Sequence, residues 1–173
     1  STEINNFKLR SHCANQDTIT QTIYAGTASG LKIGNNSSAP LYKINGKHIQ
    51  CNDIVFHRNN MYIATQKHGI LIFNNDTLID RWSKADGLIS NRLKQIKFYQ
   101  NKVYLSTYNG LQVLDENGNS LAILNSSVGL SDNNVLDFDI LNDTLWVLMV
   151  NKIQTIAISN LLDGNTFTPQ IKL

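Results

Sequence analysis

A chain of 173 residues with 42% hydrophobic residues is long enough to bury a core of its own. A net charge of +2, with Lys and Arg nowhere clustered beyond two neighbours, leaves no footprint for nucleic acid. No apolar run reaches the roughly 20 residues of a membrane span, and the N-terminal stretch lacks the charged and apolar regions of a signal peptide, which is expected to have been removed or to lie outside this sequence.

In chain order, one phrase occurs four times. Ile23–Ile33 (IYAGTASGLKI) reappears as Met61–Ile72 (MYIATQKHGILI), as Val103–Val113 (VYLSTYNGLQV) and, worn, as Leu145–Gln154 (LWVLMVNKIQ). Its turn positions Gly30, Gly69, Gly110 and Lys152 lie 39, 41 and 42 residues apart, the period of a repeat architecture. Between the turns stand short runs rich in β-branched and aromatic residues, such as Ile54-Val55-Phe56 and Ile70–Phe73, and none has helical spacing.

The third unit shows the plan best. Strands are expected over Leu93–Tyr99, Val103–Thr107, Leu111–Leu114 and Ser120–Leu124, joined by turns at 100–102, 108–110 and 115–119. Four antiparallel strands in about 40 residues make a propeller blade. The predicted fold class is therefore all-β, about four four-stranded antiparallel β-propeller blades that are part of a larger propeller. The blades are placed at about 4–46, 47–86, 87–128 and 129–168, the fourth without a clear outer strand.

Gly30, Gly69 and Gly110 are expected at positive φ behind a Thr, with Asn151 taking over that duty ahead of Lys152. Asparagine occurs 23 times, largely in pairs or beside Gly, Asp or Ser, which marks tight turns. The Asn-x-Ser/Thr triplets at Asn75, Asn125 and Asn142 arise readily in such a composition and are not read as glycosylation sites. Cys13 and Cys51, 38 residues apart, are expected at similar places in neighbouring units. Two buried free thiols and a single disulfide both stay open, the thiols favoured.

A second phrase links the blades: Asp86–Leu93 (DGLISNRL) matches Val128–Val135 (VGLSDNNV), with Lys47–Ile54 as a degenerate version. "Gly-Leu-Ser-x-Asn-x-Val", an apolar strand and then "Leu-Trp-Val-x-Thr-x-x-Gly-Leu" resemble the two-component regulator propeller repeat. That resemblance implies the periplasmic, extracytoplasmic sensor region of an inner-membrane (hybrid) two-component histidine kinase. Two departures stand out. The family's rings hold about seven blades against four here, and the second-strand aromatic is Tyr except at Trp146. Residues 169–173 resemble the start of the immunoglobulin-like domain that follows such propellers.

No catalytic or metal-binding motif stands out. His12, His48, His57 and His68 have no partner at metal-ligand spacing, and no calcium loop is present. No cofactor is expected. Asp137 and Asp139 share one strand face, as ligand-binding carboxylates near the axis or as groups capping neighbouring amides. Arg92, Lys94 and Lys97 are read as a solvated face, Trp146 as core, and Trp82 as core or a partner contact.

The turns between second and third strands share one rim with the blade connections 84–86 and 126–128. Gln66, Lys67, His68, Tyr108 and Asn109 are the candidate ligand-binding residues there, because amides, a cation and an aromatic face suit sugar hydroxyls. The leading expectation is a non-enzymatic sensor module that takes a small-molecule or oligosaccharide ligand and does not itself insert in the membrane. Self-association through open blade faces is expected too. The alternatives are a protein-interaction scaffold and, with no convergent acid/base set in sight, a propeller lyase or glycosidase.

Overall fold

The computed structural model describes residues 11–27, 29–34, 42–44, 46–162 and 170–172, with side chains as far as Leu161. The first sheet is β1 (Ser11–Gln16), β2 (Ile23–Thr27) and β3 (Gly30–Ile33), followed by a small hairpin of β4 (Lys43–Ile44) and β5 (Lys47–His48). The second sheet is β6 (Cys51–His57), β7 (Asn60–Thr65), β8 (Ile70–Asn74) and β9 (Thr77–Trp82). The third is β10 (Leu93–Tyr99), β11 (Lys102–Thr107), β12 (Gly110–Asp115) and β13 (Ser120–Leu124). The fourth is β14 (Asp137–Leu141), β15 (Thr144–Met149), β16 (Lys152–Ala157) and, after the short helix α1 (Ile158–Leu162), β17 (Gln170–Lys172).

Each sheet is an antiparallel meander, and none closes on itself among the described residues. The chain is thus all-β, built of sheets of blade type. The third sheet has the strands expected of it to within a residue. The fourth has the outer strand that the sequence did not reveal: β17 pairs Gln170–Lys172 with Ile153–Thr155, so part of segment 169–173 completes this sheet. Residues 4–10, 28, 35–41, 45 and 163–168 of the expected blades lie outside the described residues.

Two-residue turns set the register. Asn75-Asp76, Gln100-Asn101 and Asn142-Asp143 all hold φ between 45° and 62°, the doubly positive geometry whose twist matches the flanking strands. Gly69 and Gly110 also face a close approach, since a Cβ there would stand 2.0 Å from Trp82 O and 2.1 Å from Leu124 O. Asn151 does not take up a positive φ, contrary to expectation. Its hairpin closes between Met149 and Lys152 without a left-handed residue.

The core lies in layers between successive sheets. Tyr24, Leu31, Ile54, Ile63 and Phe73 fill the first layer, and Tyr62, Ile70, Trp82, Leu93 and Val103 fill the second. Tyr104, Leu111, Leu124, Phe138 and Val147 fill the third. Trp82 is core, as expected. Its ring lies 6.0 Å from that of Tyr62, and Gly118 of the third sheet packs so closely on it that a Cβ would come within 2.7 Å.

Trp146 departs from expectation. It stands where Tyr104 stands in the third sheet, yet Tyr104 is fully buried and Trp146 only half-buried. The same holds along the whole outward face of the fourth sheet. Leu148 is 41% exposed and Ile153 40%, whereas Ser106 and Leu111 at the equivalent pairing positions are 0% and 1% exposed. In the second and third sheets the next sheet covers these positions, and no described sheet follows the fourth.

Candidate functional site

The rim turns are built by a repeated threonine. Thr27, Thr65 and Thr107 end the second strand of their sheets, buried, and each hydroxyl donates to the carbonyl of Gly30, Gly69 or Gly110 at 2.8–3.0 Å. The same oxygens accept the amides of Ser29, His68 and Asn109. A buried hydroxyl bonded both ways fixes the turn, so His68 and Asn109 are held by the backbone while their side chains remain in solvent.

The connections between sheets are equally fixed. A 3-10 turn over Lys84–Asp86 is capped by Ser83, whose amide and hydroxyl both donate to Asp86 Oδ2, and Gly87 closes it at φ 102°. A second 3-10 turn, Ser126–Val128, is capped by Asn125, whose Oδ1 accepts the amide and hydroxyl of Ser127, and is closed by Gly129 at φ 114°. Asn91 Oδ1 accepts the amide of Lys84 and Asn133 Oδ1 that of Ser126, each at 2.7 Å. Asp86 is therefore spent on the cap.

Of the five predicted residues, the structure ties Gln66 and Tyr108 into one line along this rim. Gln66 Nε2 donates to Asn52 Oδ1 at 3.2 Å, and Asn52 Nδ2 donates to Leu93 O at 2.6 Å. Arg92, next in chain, lies over the Tyr108 ring at 4.6 Å, and Lys94 Nζ over the same ring at 4.4 Å. Lys94 continues the line into the fourth sheet, donating to Asn134 Oδ1 and Val135 O. Tyr108 is 46% exposed, an aromatic ring with two cations close to it.

His68 belongs to a neighbouring cleft of about 340 Å³ lined by Lys47, His48, Leu71, Leu78 and Arg81, among others. Its carbonyl accepts Arg81 Nε at 3.0 Å. Partial burial, and then the charges of Arg81, Lys47 and Lys67, hold the His68 imidazole below its ordinary pKa. Lys67 and Asn109 are exposed beside these groups. A second cleft of about 540 Å³ opens at the opposite turns, lined by Asp17, Ile19, Tyr24, Arg58, Asn75 and Asp76 among others.

Asn52, Arg92, Lys94, His48 and Arg81 were missed as site residues. Lys94 and Lys97 do not form a merely solvated face: Lys94 bridges two sheets, and Lys97 pairs with Asp139 at 2.6 Å. The period itself carried the signal, because Asn52 and Lys94 stand 42 residues apart at matching register bulges and reach the matching carbonyls Leu93 O and Val135 O. Asp137 and Asp139 cap amides, Asp137 that of Phe138 and Asp139 that of Ile140. Among the described residues no cluster of three or more His, Cys, Asp or Glu side chains could hold a metal ion, and no helix is long and apolar enough to cross a membrane.

No protein-family model matches the chain, and no curated protein matches its sequence. Solved structures share its fold. The chain aligns over 98% of its length with the extracellular domain of the putative hybrid two component system BT3049 from B. thetaiotaomicron, at a TM-score of 0.73 and 17% identity, covering 25% of that chain. The corresponding domain of BT4673 from the same organism aligns with 88% of this chain and 24% of its own, at a TM-score of 0.73 and 18% identity. PorZ, a surface component of the type-IX secretion system of Porphyromonas gingivalis, aligns with 94% of this chain and 22% of its own, at a TM-score of 0.65 and 19% identity. The chain thus spans about a quarter of the length of these solved chains.

Proposed function

We propose that this chain is one arc of a β-propeller in the extracytoplasmic sensing region of a two-component sensor, and that the rim from Gln66 to Tyr108 contacts the ligand. The observation that carries the reading is the bonded line Gln66–Asn52–Leu93 beside the exposed Tyr108, whose ring Arg92 and Lys94 approach. It presents amides and an aromatic face on a rim whose backbone is already fixed, so binding orders little. The fold shared with extracellular domains of putative hybrid two component systems supports the sensing role.

The ligand is a small molecule or oligosaccharide, bound without turnover. Lys47, Lys67, Arg81, Arg92 and Lys94 gather along this rim, which favours a saccharide bearing carboxylate or sulfate over a neutral one. To signal, the ligand must bind one arrangement of the sensor better than another. Calorimetry with acidic and neutral oligosaccharides tests this. Heat with acidic sugars that falls as salt rises supports it, and no binding to either kind, or chain-catalysed cleavage of the sugar, ends it.

The outward face of the fourth sheet has an occupant in the same reading. Its exposed Leu136, Leu148 and Ile153 sit where the repeat places a further sheet, so the isolated chain self-associates through this face.

A further inference from the structure

We propose that Cys13 and Cys51 are a disulfide site that staples the first sheet to the second. Both cysteines are free thiols, and their Sγ atoms stand 3.4 Å apart, already in contact. The two residues are not at equivalent places, as their spacing suggested. Cys13 pairs with Gly26 and Cys51 with Thr65, so the residue matching Cys13 in the second sheet is Asp53, which pairs with Ala64. A register shift at the start of β1, repeated at the start of β6 and β10, turns Cys13 toward the neighbouring sheet.

Every described junction between sheets carries a link from this position. Asp53 Oδ2 accepts the amide of Ile96 at 3.0 Å, and Gln95 Oε1 accepts that of Phe138 at 3.2 Å. At the first junction a pair of sulfur atoms stands in place of that hydrogen bond. The opposite residue makes room for it. A Cβ on Gly26 would lie 2.6 Å from Cys13 Sγ and 2.9 Å from Cys51 O, whereas the matching positions in the next two sheets are Ala64 and Ser106. Gly26 is not in a left-handed turn, so the space, and not the backbone angle, is what glycine supplies here.

The two thiols differ as an attacking and a resolving pair should. Cys13 is partly open to solvent and Cys51 is 1% exposed. The shared hydrogen bond from Cys51 holds the Cys13 thiol below its ordinary pKa, and that bond together with burial pushes Cys51 up. The Cys13 thiolate attacks a small disulfide donor, expelling one thiolate and leaving a mixed disulfide. The expelled thiolate takes the Cys51 proton, and Cys51 sulfur attacks Cys13 sulfur and expels the second half of the donor. Two cysteines are oxidised and one donor disulfide is reduced to two thiols. Closure needs the sulfur atoms to approach to the ~2 Å of an S–S bond.

Oxidised glutathione, added to the reduced chain, tests the site. The expected product is a chain lighter by two hydrogens, with a non-reducing digest that joins the peptides of Cys13 and Cys51 and a Tm raised by roughly 5–15 °C. Cys51→Ser should instead retain one glutathione on Cys13. Two thiols still titratable in the unfolded protein, glutathione held on both cysteines of the wild-type chain, or a disulfide joining two chains overturns the proposal. So does the same oxidant-dependent rise in Tm in the Cys13→Ser/Cys51→Ser double variant.

Discussion

Gln112 and Gln154 stand at the same place in successive sheets and hold the preceding connection by the same two bonds. Gln112 donates to Gly87 O and accepts from Ile89 N, both at 2.9 Å, while Gln154 donates to Gly129 O at 3.2 Å and accepts from Ser131 N at 2.7 Å. Both are buried, and Gln112 also reaches Ser120 Oγ. The second sheet has Leu71 there. Gln112→Leu leaves the Gly87 carbonyl and Ile89 amide unpartnered, and should cost about 2–4 kcal/mol in urea unfolding. A loss below about 1 kcal/mol would mean the connection is held by its 3-10 turn alone.

Tyr104 separates packing from polarity. Its ring is fully buried between the third and fourth sheets, and its hydroxyl has no hydrogen-bond partner among the described residues. Tyr104→Ala should lose about 3–5 kcal/mol. Tyr104→Phe should match the wild-type chain or exceed it by up to about 1 kcal/mol, since an unpartnered buried hydroxyl is removed. A large loss in the Phe variant would reveal a bond to that hydroxyl.

The same residue sets an alkaline dependence. Burial pushes the Tyr104 phenol up to about 12 from 10.0. The folded chain then keeps a proton that the unfolded chain releases. The contribution is fully present below pH 10 and falls away as the pH rises toward 12, by up to about 1.4 kcal/mol per unit. Chemical unfolding of wild type and Tyr104→Phe at pH 9 and pH 11 should show the wild type losing ground to the variant. Parallel behaviour would contradict the shift.

On the rim, Tyr108→Ala should weaken a bound acidic oligosaccharide about tenfold or more while leaving the fold intact, because the ring is 46% exposed. Lys94→Met tests a second property: it removes the link to Asn134 and Val135, and should lower both affinity and stability. Equal affinity in both variants would move the ligand elsewhere, the cleft of about 540 Å³ at the opposite turns being the next place to look.

Light scattering behind size exclusion should find about twice the 19.4 kDa of one chain. Leu148→Asp, which charges the outward face of the fourth sheet, should return it to one. A wild-type mass near 19.4 kDa would mean that the exposed Leu148 and Ile153 are tolerated in a single chain.

The sequence alone determined the period, the strands of the third sheet and most of the turns, though not β17 or the backbone of Asn151. These depend on local chemistry: alternating apolar residues, Asn pairs that accept positive φ, and a glycine behind each threonine. It placed Gln66 and Tyr108 on one rim for the same reason, since each lies in a turn whose place follows from the period. Tertiary structure decided what the side chains meet across the gap between sheets. That Lys94 bridges to Val135, that Trp146 is left half-covered while Tyr104 is sealed, and that Cys13 meets Cys51 and not its own counterpart all depend on register shifts and on which sheet stands alongside. A shift of one residue at the start of a strand changes which side chain faces the neighbour. The local pattern of apolar and polar residues does not reveal that shift, because it is settled only when the sheets pack.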